Sequence, residues 1–392
     1  MKYCDLHCHS DYSDGSCTPG ELIEEACNHG LSAVALTDHN TLDGIGEFLE
    51  TAGERIDALA GCEFTTEYNG KELHLIGFFS NISRLTAIRR ALEEQRERKA
   101  ENNRQTIERL AAAGYDLSYE EFLEFAGSGS KNRVHIAKYM MQKGIVSSIS
   151  EAFDGLLFPG NGYYEECRKL DFCKMISLID RSGGVSIWAH PLYNVDQIEC
   201  ENILKDPYVA GLDGIEVFYS TYSDADTEFM INMSNQYQLL QSGGSDFHGV
   251  SKPDIKIGVG HGNLKVPHEC FLEIERRLCE KDSLIKRTEV IERFLIDCCK
   301  ASSIYYDGKY QSIKYLCGTG KVLFVERSRM LDYCEESIPD YDRKRDESLI
   351  FRIIDDSERL KSCESHSHGD CHYCWTFSLK QEYASAELDR KE

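Results

Sequence analysis

The chain has 392 residues, which at about 150 per domain allows two or three domains with substantial cores. Its apolar fraction of 41% and mean hydropathy of −0.43 are ordinary for a globular protein, and no apolar run approaches the roughly 20 residues that span a bilayer. Formal net charge is −23: residues 265–392 hold 26 acids and 22 bases, leaving 41 acids and 22 bases before them. That balance argues against a broad cationic groove for duplex nucleic acid, and implies bound cations wherever a phosphate must approach.

The N-terminus, MKYCDLHCHS, is polar from its second residue, so no signal peptide is expected. Seventeen cysteines, odd in number and irregular in spacing, read as reduced thiols of a cytoplasmic protein; many lie in apolar stretches, as Cys62 does. Residues 2–8 read as a strand and 19–29 as a helix, with Thr18 as its cap, Pro19 in its first turn and Glu21 close behind. Strands follow at 32–37 (SAVALT), 58–63 and 72–79 (ELHLIGFF). Strand alternating with helix predicts a parallel α/β architecture.

From about 84 to 165 strand signals give way to helical periodicity, with Gly114, Gly127 and Gly144 where helices would stop. This reads as a helical insertion. The run from Arg84 to Arg104 reads as a solvated helix face. Strand rhythm resumes at 183–191 (GGVSIWAHP), 214–218 (GIEVF) and 238–246 (QLLQSGGSD). Residues 265–302 read as two connecting helices. Beyond them, 303–392 reads as a small β-rich appendage, from the Asp307-Gly308 hairpin signal, GKVLFVE, SLIFRII and CWTFSLK.

Residues His7 and His9 are two apart, so on a strand both imidazoles share one face and can meet one ion. Asp5 shares that face and is a natural hydrogen-bonding partner to orient them, while Cys4, Leu6 and Cys8 face apolar packing. Asp14 follows on a glycine turn, and His39 in LTDHNT comes directly after a buried strand. Glu63 ends the strand LAGCE, and His74 lies in ELHLIG. His190 follows VSIWA, and Asp246 and His248 follow LLQSGG. Several of these side chains fall at the C-terminal ends of parallel-strand candidates, where barrel enzymes place their active sites. Six histidines and three carboxylates so placed predict a multinuclear metal site.

The order D-x-H-x-H-S, D-G, T-D-H-N-T, G-x-E, H-x-x-G, A-H-P and S-D-x-H resembles the polymerase and histidinol phosphatase (PHP) family of metal-dependent phosphoesterases, over about residues 1–264. NRVHIAKYMMQKGIV and AFDGLLFPG further resemble a segment of its nucleotide-directed members. Those are AMP phosphatases and nucleoside 3′,5′-bisphosphate phosphatases, some of which degrade short RNA from the 5′ end. The resemblance implies a distorted (β/α)7 barrel with three divalent ions. His7, His9, Glu63 and Asp246 would form one site, Glu63 would bridge to a second with His74 and His190, and Asp14, His39 and His248 would hold the third. Manganese, zinc or iron all suit such ligands. A metal-activated hydroxide would then be the nucleophile, with no side-chain nucleophile needed.

Further expectations attach to this reading. Arg133 and His135 would contact the phosphate or ribose from the insertion, and Asp5 and Asp38 would support the ligands. The expected substrate is a small phosphorylated molecule, a nucleotide; no membrane or duplex nucleic acid is expected as a partner. Histidinol phosphate, short RNA and a non-catalytic metal-containing binding module are the alternatives. In the appendage, Cys363, His366, His368, Cys371, His372 and Cys374 include a finger-like C-x-x-C, read as an ordinary hairpin or loop with zinc as the second option. GTGK at 318–321 reads as a turn.

Overall fold

The computed structural model describes residues 2–127, 131–293, 301–307, 312–317, 322–326, 337–338 and 341. SLIFRII, CWTFSLK, GTGK and the Cys363–Cys374 cluster lie outside the described residues. The chain divides into two compact units, Met1–Leu278 and Cys279–Glu392.

In the first unit, β1 (Tyr3–Asp5), α1 (Pro19–Asn28), β2 (Ala33–Leu36), α2 (Ile45–Ala52) and β3 (Asp57–Tyr68) lay down three parallel strands. The cap of α1 is as its sequence predicts: the Thr18 hydroxyl accepts from Glu21 N–H, and the Glu21 carboxylate accepts from Thr18 N–H. β4 (Lys71–Phe79) then turns back antiparallel to β3 through Asn69-Gly70, both at positive φ. Four helices follow, α3 (Thr86–Ala112), α4 (Tyr119–Ala126), α5 (Arg133–Gln142) and α6 (Ile149–Asp154). They gather their own apolar cluster around Ile107, Leu110, Phe122, Ile136 and Met140.

The chain rejoins the sheet through β5 (Leu170–Asp171), α7 (Phe172–Arg181) and β6 (Val185–Ala189). It continues with α8 (Pro191–Asn194), α9 (Gln197–Lys205), β7 (Gly214–Tyr219), α10 (Asp224–Tyr237), β8 (Leu240–Gly244), β9 (Val266–Pro267) and the first part of α11 (His268–Arg293), whose residues from Cys279 onward belong to the second unit. The main sheet runs β8-β7-β6-β4-β3-β2-β1, with the short β9 antiparallel to β1 and the short β5 parallel to β3. It closes where Leu6 N–H donates to Gly243 C=O (3.0 Å) and His9 N–H to Phe247 C=O (2.9 Å). This is a distorted seven-stranded α/β barrel, and the distortion is β4, antiparallel to both its neighbours.

Alternation sorts the strand residues between layers. Ala33 and Ala35 join Leu6, Ile76, Phe78, Val185 and Ile187 in one cluster, while Val34 and Leu36 pack with Leu22, Ile23 and Phe48. Of the stretch 265–302, expected to hold two helices, the described part 268–293 is a single helix, His268–Arg293, with no glycine or proline to interrupt it; residues 294–300 lie outside the described residues. In the second unit, β10 (Ala301–Asp307), β11 (Ser312–Cys317) and β12 (Val322–Glu326) form an antiparallel three-stranded sheet, with Asp307 opposite Ser312. Among the described residues no helix is long and apolar enough to cross a membrane.

Candidate metal centre

β1 ends at Asp5, earlier than expected, yet the alternation survives to His9. The next residues are held on both sides, by Thr37 N–H donating to Cys8 C=O (2.9 Å) and Asp246 N–H to His7 C=O (2.9 Å). His7 and His9 therefore share a side, while Cys4, Leu6 and Cys8 are buried among apolar residues. His39 follows β2. Glu63 lies in the middle of β3 rather than at its end, because the Asn69-Gly70 hairpin extends β3 and β4 well past it. His74 lies on β4, in register with Thr65 on one side and Ala189 on the other. His190 and Asp246 follow β6 and β8 in left-handed backbone conformations, φ 30° and 58°, which side-chain-bearing residues rarely adopt.

These elements bring all nine candidate ligands together. The buried Glu63 carboxylate is the hub: Oε1 lies 2.7 Å from His74 Nδ1 and 2.9 Å from His190 Nε2. Its Oε2 lies 3.0 Å from His39 Nδ1, 3.2 Å from His7 Nε2 and 3.3 Å from His9 Nε2. Asp246 Oδ1 faces His9 Nε2 at 3.2 Å, His248 Nδ1 at 3.4 Å and His7 Nε2 at 3.7 Å. Asp14 Oδ1 lies 3.2 Å from His248 Nε2 and 3.8 Å from His9 Nδ1, and its Oδ2 3.9 Å from His39 Nε2.

Four overlapping sets present donor atoms within 4.8 Å of one another: His9/Asp14/His39/His248, His7/His9/Asp246, His7/Glu63/His190 and His39/Glu63/His74. Buried polar atoms are normally hydrogen-bonded, yet His7 Nε2, both His9 ring nitrogens, His39 Nδ1, Glu63 Oε2, His190 Nδ1 and His248 Nε2 have no such partner. Imidazole nitrogens and carboxylate oxygens left bare and convergent are what divalent transition metals bind. The residues fit the group.

Electrostatics agree with that fit. Burial disfavours an imidazolium at His9, but Asp246 and Glu63 outweigh it and raise its pKa to about 9. His74 is raised to about 10, Glu63 and Glu72 overcoming burial. His39 is lowered to about 3, because burial dominates there. Burial would raise Glu63, but His39, His7 and His74 hold it well below the usual carboxylate range. Without metal, protons on the rings partly neutralise the carboxylates.

Asp5 and Asp38 hold backbone and hydroxyls beside the ligands rather than imidazoles. The Asp5 carboxylate reaches no imidazole nitrogen, but it accepts from the backbone N–H of His7 at 3.4 Å. It accepts from Ser245 N–H (2.8 Å), Ser245 Oγ (2.6 Å) and Gly258 N–H (2.6 Å), anchoring the loops that follow β8. Asp38 accepts from Ser10 N–H (2.7 Å), Ser10 Oγ (2.6 Å) and Ser13 Oγ (2.6 Å), fixing the turn that presents Asp14. Two carboxylates outside the candidate ligands reach imidazoles: Glu216, on β7, lies 3.0 Å from His7 Nδ1, and Glu72, on β4, lies 3.2 Å from His74 Nε2. Tyr219 donates to Asp246 Oδ2 (2.9 Å), and Lys252 Nζ lies 2.8 Å from the same oxygen. The only signal for Glu216 was its charge inside the apolar run GIEVF; Lys252 had none.

The insertion residues are engaged locally. Arg133 Nη2 donates to Phe153 C=O (3.0 Å), and its guanidinium lies 4.0 Å from the Phe153 ring centroid and 4.9 Å from that of Tyr164. Its Nε is buried without an acceptor. His135 Nδ1 pairs with Asn132 in the cap of α5. Beside the centre, Tyr193 is 69% exposed, with its ring centroid 5.5 Å from that of His190.

The PHP domain signature matches residues 5–169. A 5′-3′ exoribonuclease of Haemophilus influenzae is 32% identical over 251 residues, 63% of this chain and 90% of that protein. A 3′,5′-nucleoside bisphosphate phosphatase of Chromobacterium violaceum is 28% identical over 281 residues, 71% of this chain and 98% of its own length. Among solved structures, one described as a metal-dependent phosphoesterase from Bifidobacterium adolescentis superposes with a TM-score of 0.56 at 26% identity, covering 71% of this chain and 96% of that one.

Proposed function

The chain belongs to the PHP family and is a metal-dependent phosphoesterase, and from that premise we propose that it hydrolyses a phosphate monoester of a nucleotide, AMP or a nucleoside 3′,5′-bisphosphate. The observation that carries this reading is the convergence of six imidazoles and three carboxylates, Glu63 and Asp246 at their centre, with buried donor atoms on His7, His9, His39, Glu63 and His248 left without a hydrogen-bond partner. His7, His9, Glu63 and Asp246 would hold one divalent ion, Glu63, His74 and His190 a second, and Asp14, His39 and His248 a third; His9 reaches the third group as well. Manganese, zinc or iron in such a donor set supplies an activated water at neutral pH and positive charge against the phosphoryl oxygens.

The chain's own residues do the rest. Glu63 and Asp246 fix the spacing of the imidazoles. Tyr219 and Lys252 hold Asp246 Oδ2, so Oδ1 stays turned to the rings. Lys252, half-exposed, adds a cation at the rim for a phosphate. Tyr193 offers an exposed aromatic face on which a base can stack beside His190. Arg133 and His135, at the start of α5, would be the insertion's contacts to the substrate. The buried free thiols of Cys4, Cys8, Cys62, Cys200 and Cys270 suit a reducing, cytoplasmic setting.

A screen of metal-loaded protein against mononucleotides, 3′,5′-bisphosphates, short RNAs and histidinol phosphate tests this reading. Preferred turnover of a mononucleotide or bisphosphate is expected, with about three ions per chain by elemental analysis. A preference for RNA ends or histidinol phosphate would overturn the substrate, and a fully loaded but inert protein would leave a binding module.

A further inference from the structure

We infer that Glu216 is the positioning residue of the metal centre, setting the proton on His7 and the backbone of His190 with one carboxylate. The inference rests on reading His7 and His190 as metal ligands. Glu216 is fully buried on β7, where its pairing with β8 shifts register between Glu216 and Phe218. Such a bulge re-aims a side chain. Oε1 lies 3.0 Å from His7 Nδ1, and Oε2 accepts from the His190 backbone N–H at 2.6 Å.

A carboxylate offers only acceptors, so the proton of a neutral His7 ring sits on Nδ1. That leaves the Nε2 lone pair facing Glu63 Oε2 at 3.2 Å and Asp246 Oδ1 at 3.7 Å. The second oxygen acts on backbone. His190 is held at φ 30°, ψ 58°, and this conformation accompanies the placement of its Nε2 2.9 Å from Glu63 Oε1. A single buried side chain therefore fixes a ligand on the segment after β1 and another after β6.

An amide cannot do both. Glu216→Gln retains one acceptor for two donors, and if that oxygen takes the fixed His190 N–H, the amide NH₂ faces His7 Nδ1. His7 then carries its proton on Nε2, where the ion must bind. Glu216→Asp keeps both acceptors on a shorter arm.

The test uses the full-length protein, zinc and selective ¹⁵N-histidine labelling. In zinc-loaded wild type, His7 should show a hydrogen-bonded Nδ1–H with zinc on Nε2. E216Q should bind zinc at least 10-fold more weakly and lose that signal, with E216D intermediate and retaining it. An E216Q protein with unchanged zinc affinity and an unchanged His7 signal would overturn the inference while leaving the metal reading intact. Wild type that takes up no zinc would overturn that reading and this one with it. If E216Q does not fold, the wild-type signal decides: a His7 Nδ1 without a hydrogen-bonded proton refutes the role.

Discussion

Gly244→Ala should disable the centre without touching a ligand. A Cβ on Gly244 would lie 2.4 Å from both the Cβ and the backbone nitrogen of His7, and 2.8 Å from Asp5 Oδ1, where ordinary contact begins at 3.4 Å. Neither His7 atom moves with a rotamer change, so β8 and the segment carrying His7 have to separate by about 1 Å, a displacement that typically costs about 100-fold in rate. Overpacking of this kind destabilises by about 1–3 kcal/mol, and each kcal/mol lowers Tm by about 2–4 °C in a unit of this size. The assays are kcat on an aryl phosphate, bound metal, and Tm by calorimetry. Gly46→Ala is the control: an added Cβ on α2 meets nothing within 4 Å, so it should stabilise by about 0.4–1 kcal/mol and leave turnover alone. Wild-type turnover and Tm in Gly244→Ala would refute the argument that the close approach of β8 positions His7.

Arg133→Ala should lower kcat/KM on the preferred nucleotide at least about 10-fold more than on an aryl phosphate, which needs no insertion contact; equal losses would assign Arg133 to packing against Phe153 alone. Metal-free protein should lose stability as pH rises from 7 to 10. The folded pKa values of His9 (about 9) and His74 (about 10) lie above their unfolded values, so their contribution is complete below the unfolded pKa of about 6.5 and is lost through about 9–10. A chelator-treated sample whose Tm stays flat or rises over that range contradicts the charge assignment. Ending the chain after Ser302 should preserve metal content and aryl phosphatase activity, since every candidate ligand precedes residue 249. Loss of metal by a soluble truncation would show that residues 303–392 complete the active unit.

Most candidate ligands were legible as polar residues set in or directly after an apolar strand, His7 and His9 against Cys4, Leu6 and Cys8, and His190 against VSIWA; Asp14, on its glycine turn, was legible only through the family pattern. The helix at 19–28 was legible because its start signal, Thr18–Glu21, is local. What escaped depends on partners distant in sequence. Asp5 looked like an imidazole partner by its face of the strand, but donors from residues 245 and 258 claim it, and no local pattern encodes them. Glu216 needed the closed barrel to meet His7, 209 positions away. The position of Glu63 in mid-strand is signalled by Asn69-Gly70, a hairpin dipeptide six residues beyond it.

The seam between the segment after β1 and β8 also determines when the centre can exist. His7 and His9 leave the ribosome first, but Asp246 and His248 arrive some 240 residues later, and Asp5 finds Ser245 only then. Closing a fully flexible loop of that length costs about 5 kcal/mol in chain entropy by the (3/2)RT ln n rule, and less once the intervening strands have paired. Until β8 emerges, His7 and His9 can meet only ligands earlier in the chain, and Asp14 has no His248 to face. A divalent ion captured by that partial set would favour closure once β8 emerges, because the completed barrel binds it with more donors. Pulse-chase proteolysis of ribosome-bound chains of increasing length should show the step: protection of the N-terminal strands rising abruptly once residues to about 250 have cleared the exit tunnel, and earlier when the metal is supplied.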